Sequence, residues 1–185
     1  MRLQDNALYI KKLTLTAAFS AFALALSYLE SVVPLGLVIP LPGVKLGLAN
    51  IAPLLAFVYI SKASAAAVVL IRVCLNFLLF GSFNSFVLSL TGSVCAFLVL
   101  LLISALPQVK ISFVGVSVLS AAAHGIGQIL SATVLFSLPG IWRYLPVLLF
   151  FGTAFGWIVG ILLNLISPTC RTISEKYLSR RDKNA

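Results

Sequence analysis

The sequence predicts an all-α fold, a polytopic membrane bundle of six transmembrane helices, and three observations carry that prediction. Of the 185 residues, 61% are hydrophobic and only 9% charged, with a mean hydropathy of +1.14, too little polar side chain to cover a water-facing surface. Apolar runs of roughly 15 to 25 residues, the length that crosses a bilayer, follow one another from Leu13 onward. The basic residues sit between those runs in an order that gives the bundle a direction.

The apolar windows place spans near Leu13–Leu29, Leu46–Ile60, Ala63–Phe80, Phe86–Leu106, Ser112–Leu138 and Leu145–Ile166, the second being the shortest. The chain then divides into a cytoplasmic segment 1–12, a membrane domain 13–167 and a basic cytoplasmic tail 168–185. With the N-terminus inside the cell, ten of the 13 basic residues are cytoplasmic: Arg2, Lys11, Lys12, Lys62, Lys110, Arg171, Lys176, Arg180, Arg181 and Lys183. Lys45 and Arg143 fall outside, and Arg72 is buried in the third span. An excess of Lys and Arg in short loops marks the cytoplasmic side, so both termini are expected there, in the cell membrane.

The run after Lys12 is too long for a signal peptide and is followed by no small-residue cleavage site, so the first span is expected to stay. Cys74, Cys95 and Cys170 have neither disulfide nor metal-ligand spacing and read as small core residues. The formal net charge of +9 is concentrated past the last span, where anionic membrane lipid is the ordinary partner. No basic stripe interleaved with aromatics points to nucleic acid, and no glycine-rich run has the form of a phosphate-binding loop. Neither cofactor, metal nor catalytic residue is assigned.

Between the first two spans, Val32–Val44 is apolar yet holds Pro34, Gly36, Pro40, Pro42 and Gly43, which interrupt a helix. Such backbone is tolerated at membrane depth only against protein or a cavity, which makes the segment either a lid over an outward pocket or a loop in the interface. Polar side chains inside the membrane are costly, so their positions carry information. Arg72 and Asn76 on the third span, and His124 and Gln128 on the fifth, are i, i+4 pairs. Together with Lys45, Asn50, Asn84 and Glu30 they are expected to form a polar layer in the outer half of the membrane. Each has a plainer reading: Arg72 in an ion pair with Glu30, His124 as a packing histidine, and Asn50, Asn76 and Asn84 as caps or interhelical bonds. Asn164 falls outside this layer and reads as structural. Phe83, Phe86 and Trp157 are available for an apolar part of a ligand, though core packing is the commoner role. Ala17, Ala21 and Ala25 form a strip of small side chains on the first span, suited either to packing within the chain or to docking of a subunit. Gly115, Gly125 and Gly127 on the fifth span and Gly152, Gly156 and Gly160 on the sixth are expected to permit close helix approach.

Lys11-Lys12-Leu13 leading into that alanine strip, the run Pro42-Gly43-Val44-Lys45-Leu46-Gly47-Leu48-Ala49-Asn50, and Ala123-His124-Gly125-Ile126-Gly127-Gln128 together resemble the Gx transporter family. That family is also described as heptaprenyl diphosphate synthase component I, and the likeness runs from about Lys11 to Ile166. It is similar in turn to the S components of energy-coupling factor (ECF) transporters. The resemblance implies substrate binding for uptake of a small micronutrient or precursor and leaves its identity open. Because Glu30 is the only acidic residue between Asp5 and Glu175, Lys45 and Arg72 are expected to hold an anionic substrate, with Asn50, Asn76, Asn84, His124 and Gln128 as the other site residues. The resemblance further implies that Ala17, Ala21 and Ala25 dock a transmembrane coupling subunit with its ATPases, and that Val32–Val44 gates the substrate. A prenyl diphosphate synthase needs clustered aspartates to hold magnesium against a diphosphate, and this chain has only Asp5 and Asp182, so it is not expected to be an enzyme. The alternative is a non-catalytic membrane component of polyprenyl diphosphate synthesis. A structural subunit of a larger complex is the third class.

Overall fold

The computed structural model describes residues 2–32, 47–80, 83–106, 108, 111–137 and 139–178. Among them six α-helices follow in order: α1 (Arg2–Val32), α2 (Ile51–Tyr59), α3 (Lys62–Phe80), α4 (Phe83–Ala105), α5 (Phe113–Phe136) and α6 (Leu145–Leu178). A 3-10 turn, Leu48–Asn50, leads into α2, another, Pro139–Tyr144, leads into α6, and no strand occurs among the described residues. The early part of α1 and the late part of α6 lie at the same end of the bundle, where Leu15 and Ala18 share a groove with Tyr59, Cys170 and Ile173.

Large apolar side chains face outward, Val134 at 82% and Leu78 at 74% exposure, while Glu30, Arg72, His124 and Gln128 are buried. That inversion suits a hydrocarbon solvent and no other. Five helices are long and apolar enough to cross a membrane.

The second span expected from sequence, Leu46–Ile60, is corrected by the structure. At nine residues α2 rises about 13.5 Å, less than half of a hydrocarbon core of about 30 Å. Gly47, in the left-handed conformation at φ 90°, stands just ahead of its entry turn. Ile51 through Ala56 are all buried, packed on α1, α3 and α6. A helix that is apolar all round is buried, and in sequence a protein interior and a lipid face read alike. The outer helices are longer than expected. The 31 residues of α1 and the 34 of α6 exceed what a bilayer requires, and residues 2–12 and 168–178 are helical continuations of the two spans.

Close approach of α4, α5 and α6 depends on glycine. A Cβ at Gly127 would come within 2.8 Å of the Thr91 carbonyl oxygen, and one at Gly160 within 2.4 Å of Val114 Cα. Gly156 meets Val118 Cα at 3.0 Å in the same way, and Gly125 packs on Leu148. Gly115 departs from this pattern, since its neighbour is Ile111 just ahead of its own helix. Helix α5 opens on Ser112, whose Oγ accepts from Gly115 N at 3.2 Å, and closes at Ser137 in the left-handed conformation. Helix α1 turns Thr16, Ser20, Ala23, Ser27 and Glu30 inward, a small and polar stripe at helical spacing. The cysteines are not uniformly core residues: Cys74 is exposed, and Cys95 and Cys170 are half-buried.

Candidate functional site

Arg72 in α3, Ser93 in α4 and His124 in α5 each lie within one residue of the midpoint of their helix. The polar layer is therefore set at mid-helix rather than toward one end, and it is where α2 begins. Asn50, the last residue of the entry turn, directs its side-chain amide to His124 Nδ1 at 3.3 Å instead of capping its own helix. Starting a helix at this depth leaves backbone N–H groups away from water. Glu30, near the end of α1, meets that need: its Oε1 accepts from Gly47 N and from Leu48 N, the latter at 3.0 Å. The carboxylate also complements the positive end of the helix dipole and acts electrostatically on Arg72. Its electrostatic action on Arg72 is thus only part of what Glu30 does. Its backbone role depends on Gly47, 17 residues away in the chain.

Arg72 is 3% exposed and donates through Nη2 to Ser93 Oγ. Gln128, fully buried, meets His124 Nε2 at 3.1 Å. A neutral imidazole cannot accept at both nitrogens. One ring nitrogen therefore carries the proton and donates while the other accepts, so one of the two amides, Asn50 or Gln128, presents its oxygen to the ring and the other its nitrogen. The second polar atom of the Gln128 amide has no partner among the described residues. The same is true of Arg72 Nε and Ser120 Oγ. Buried polar groups are rarely left so.

Gly92 makes room for the imidazole, since a Cβ there would lie 2.8 Å from His124 Cε1. Next to it, Ser93 lines a small central cavity of about 20 Å³ with Gly47, Asn50, Ser117 and Ser120. The opposite wall is apolar, formed by Leu54, Phe97, Leu100, Phe155 and Val159. Arg72 and His124 stand directly behind the polar rim, through Ser93 and Asn50.

Residues 19–166 match the family described as heptaprenyl diphosphate synthase component I. The chain belongs to that family. The matched stretch holds the whole polar centre and the cavity beside it. It ends within α6, which continues to Leu178. No curated protein and no solved structure matches the chain.

Of the residues expected at a site, the structure brings together Asn50, Arg72, His124 and Gln128. Asn76 and Asn84 are half-buried and make no side-chain hydrogen bond among the described residues. Lys45 and nearly all of the segment Val32–Val44 lie outside the described residues. Phe83 and Trp157 are each 59% exposed and face outward, and Phe86 stacks with Phe77 at 5.0 Å, so none of the three meets the cavity. Ser93, Ser117, Ser120, Gly47 and Gly92 were not anticipated, because serine and glycine are ordinary in membrane helices. The available signal was spacing: Gly92-Ser93 occupies the middle of its span just as Arg72 and His124 do.

Ala17, Ala21 and Ala25 are all exposed, and the inward stripe of α1 is a different one. The alanine strip is therefore not used for packing among the described residues. Beside it, Ala18 and Phe22 line a groove of about 280 Å³ shared with Tyr59 and α6.

Proposed function

We propose that this chain is a non-catalytic, ligand-binding membrane subunit that works with a polyprenyl diphosphate synthase, holding an anionic prenyl compound at its mid-helix polar centre. The observation that carries the reading is Arg72, a guanidinium buried at the midpoint of a membrane helix with a nitrogen left unpartnered among the described residues. A diphosphate matches it, since guanidinium binds phosphate oxygens through paired hydrogen bonds. Asn50, Ser93 and Ser120 offer further hydrogen-bonding groups on the cavity side. Family membership supplies the chemical class, and the absence of clustered aspartates from the sequence leaves catalysis to a partner.

The exposed alanine strip favours a second reading, an S component that docks on an ECF-type coupling subunit and binds a small anionic micronutrient. Capture of the gently solubilised chain from its own cells, with mass spectrometry of bound proteins and small molecules, separates the two. A co-purifying prenyl diphosphate synthase subunit and a prenyl phosphate support the first reading. A coupling subunit with ATPases supports the second. A chain that binds farnesyl diphosphate no better than its Arg72→Gln variant overturns the first.

A further inference from the structure

A second, larger space lies toward the α1 N-terminal end of the bundle. It is a groove of about 420 Å³, partly open to the outside of the bundle and lined by Phe57, Ile103, Phe113 and Val116, with Ser104 and Asn164 among its few polar residues. Leu54 and Leu100 belong to its wall and also to the wall of the central cavity, so those two side chains stand between the two spaces. Along α4 the distance from Ser93 to Ser104 is about 16 Å at the helical rise. The central cavity, at about 20 Å³, has room for roughly one water molecule. A phosphate is larger than that, so seating one there requires the polar rim to open, and an attached chain must then part Leu54 from Leu100, on α2 and α4.

We propose that the protein holds a single-chain anionic amphiphile. Its phosphate is seated at Asn50, Ser93 and Ser120 with Arg72 behind them, and its apolar chain passes between Leu54 and Leu100 into the cavity bounded by Ile103, Phe113 and Val116. This rests on the binding-site reading above and adds the direction of the chain: toward the end of the bundle where α1 begins, not toward the end where α1 stops. The first space is polar on the side of Asn50, Ser93, Ser117 and Ser120, and the second is lined mostly by apolar side chains. Ser120, whose buried hydroxyl lacks a partner among the described residues, sits on its polar side.

The test uses the full chain in nanodiscs and an alkyl phosphate carrying a diazirine at its terminal carbon, with peptide mapping after irradiation. Labelling is expected at Ile103, Phe113 or Val116, and it is expected to be lost in Arg72→Gln. Leu100→Trp, which narrows the passage, is expected to reduce that labelling about tenfold, the scale of overpacking by a large ring. Leu100→Phe serves as a milder second block should the tryptophan variant fail to fold. Labelling of outward residues such as Leu78 or Val134 instead overturns the proposed path. So does labelling that survives in Arg72→Gln, or that excess phosphatidylglycerol displaces, because the larger cavity is then a seat for bilayer lipid. If methyl phosphate binds in an Arg72-dependent way while the chain label falls outside the cavity, the path fails and the site stands. If no phosphate binds in an Arg72-dependent way, both fail.

Discussion

At the scale of single residues, the polar centre depends on a few buried groups whose partners come from distant parts of the chain. Arg72→Gln removes the guanidinium and, where the ligand's charge is buried against it, is expected to weaken binding of an anionic prenyl compound by about 2 to 5 kcal/mol, measured by calorimetry or quantitative native mass spectrometry. Glu30→Gln acts differently. A neutral amide still offers a carbonyl oxygen to Gly47 N and Leu48 N but loses the charge assistance and the balance it provides to Arg72. The ligand-free protein is expected to lose about 2 kcal/mol, read as a lowered midpoint of thermal aggregation in detergent, before any effect on binding is considered. An unchanged midpoint would reduce Glu30 to a partner of Arg72 alone. Gly92→Ala would place a methyl 2.8 Å from the His124 ring. It is expected to impair ligand binding by shifting that ring out of contact with Asn50.

At the scale of helices, glycine decides how near two axes can come. The Cβ of Gly160→Ala would meet backbone rather than a flexible side-chain end, at 2.4 Å from Val114 Cα, so α5 and α6 must separate. A loss of about 1 to 3 kcal/mol is expected, whereas Gly140→Ala, with nothing within 4 Å, should be nearly neutral in the same melting assay. The alanine strip of α1 gives the complementary case. Because Ala17, Ala21 and Ala25 face outward, Ala21→Leu is expected to leave folding and ligand binding intact while reducing co-purification of the partner subunit. Unfolding of that variant would show that the strip is needed within the chain after all.

For the whole molecule, the short α2 joins the centre to one end. Its start is tied to His124 and Glu30, and its last residue, Tyr59, bonds Ser167 and accepts from Ser174 through its carbonyl oxygen. Movement of α2 on ligand binding would therefore reach α6. Orientation in the cell is a separate question with a direct measurement. In a chain stripped of its native cysteines, Lys62→Cys is expected to be shielded from an impermeant thiol reagent in intact cells and Arg143→Cys to be labelled, both positions being exposed. The reverse pattern would invert the bundle and place the α1 N-terminal end, with the larger cavity, outside.

Much of this fold was legible before any coordinates. A chain with so few charges has only a bilayer as solvent, and helices are what a bilayer permits a single chain of this composition, since each must satisfy its own backbone. That Arg72, His124, Gln128 and Asn50 belong to one polar layer was equally available, because a polar group in an apolar run costs too much to be accidental. Tertiary structure alone decided three things. It made α2 a buried half-length helix, since apolarity does not distinguish lipid from protein as the neighbour. It gave Glu30 the backbone of Gly47 and Leu48 as well as Arg72, because a contact 17 residues away has no periodic trace in sequence. It turned the alanine strip outward and the Thr16–Ser20–Ser27 stripe inward, since both recur at helical spacing and only the positions of α2 and α3 settle which of them is covered.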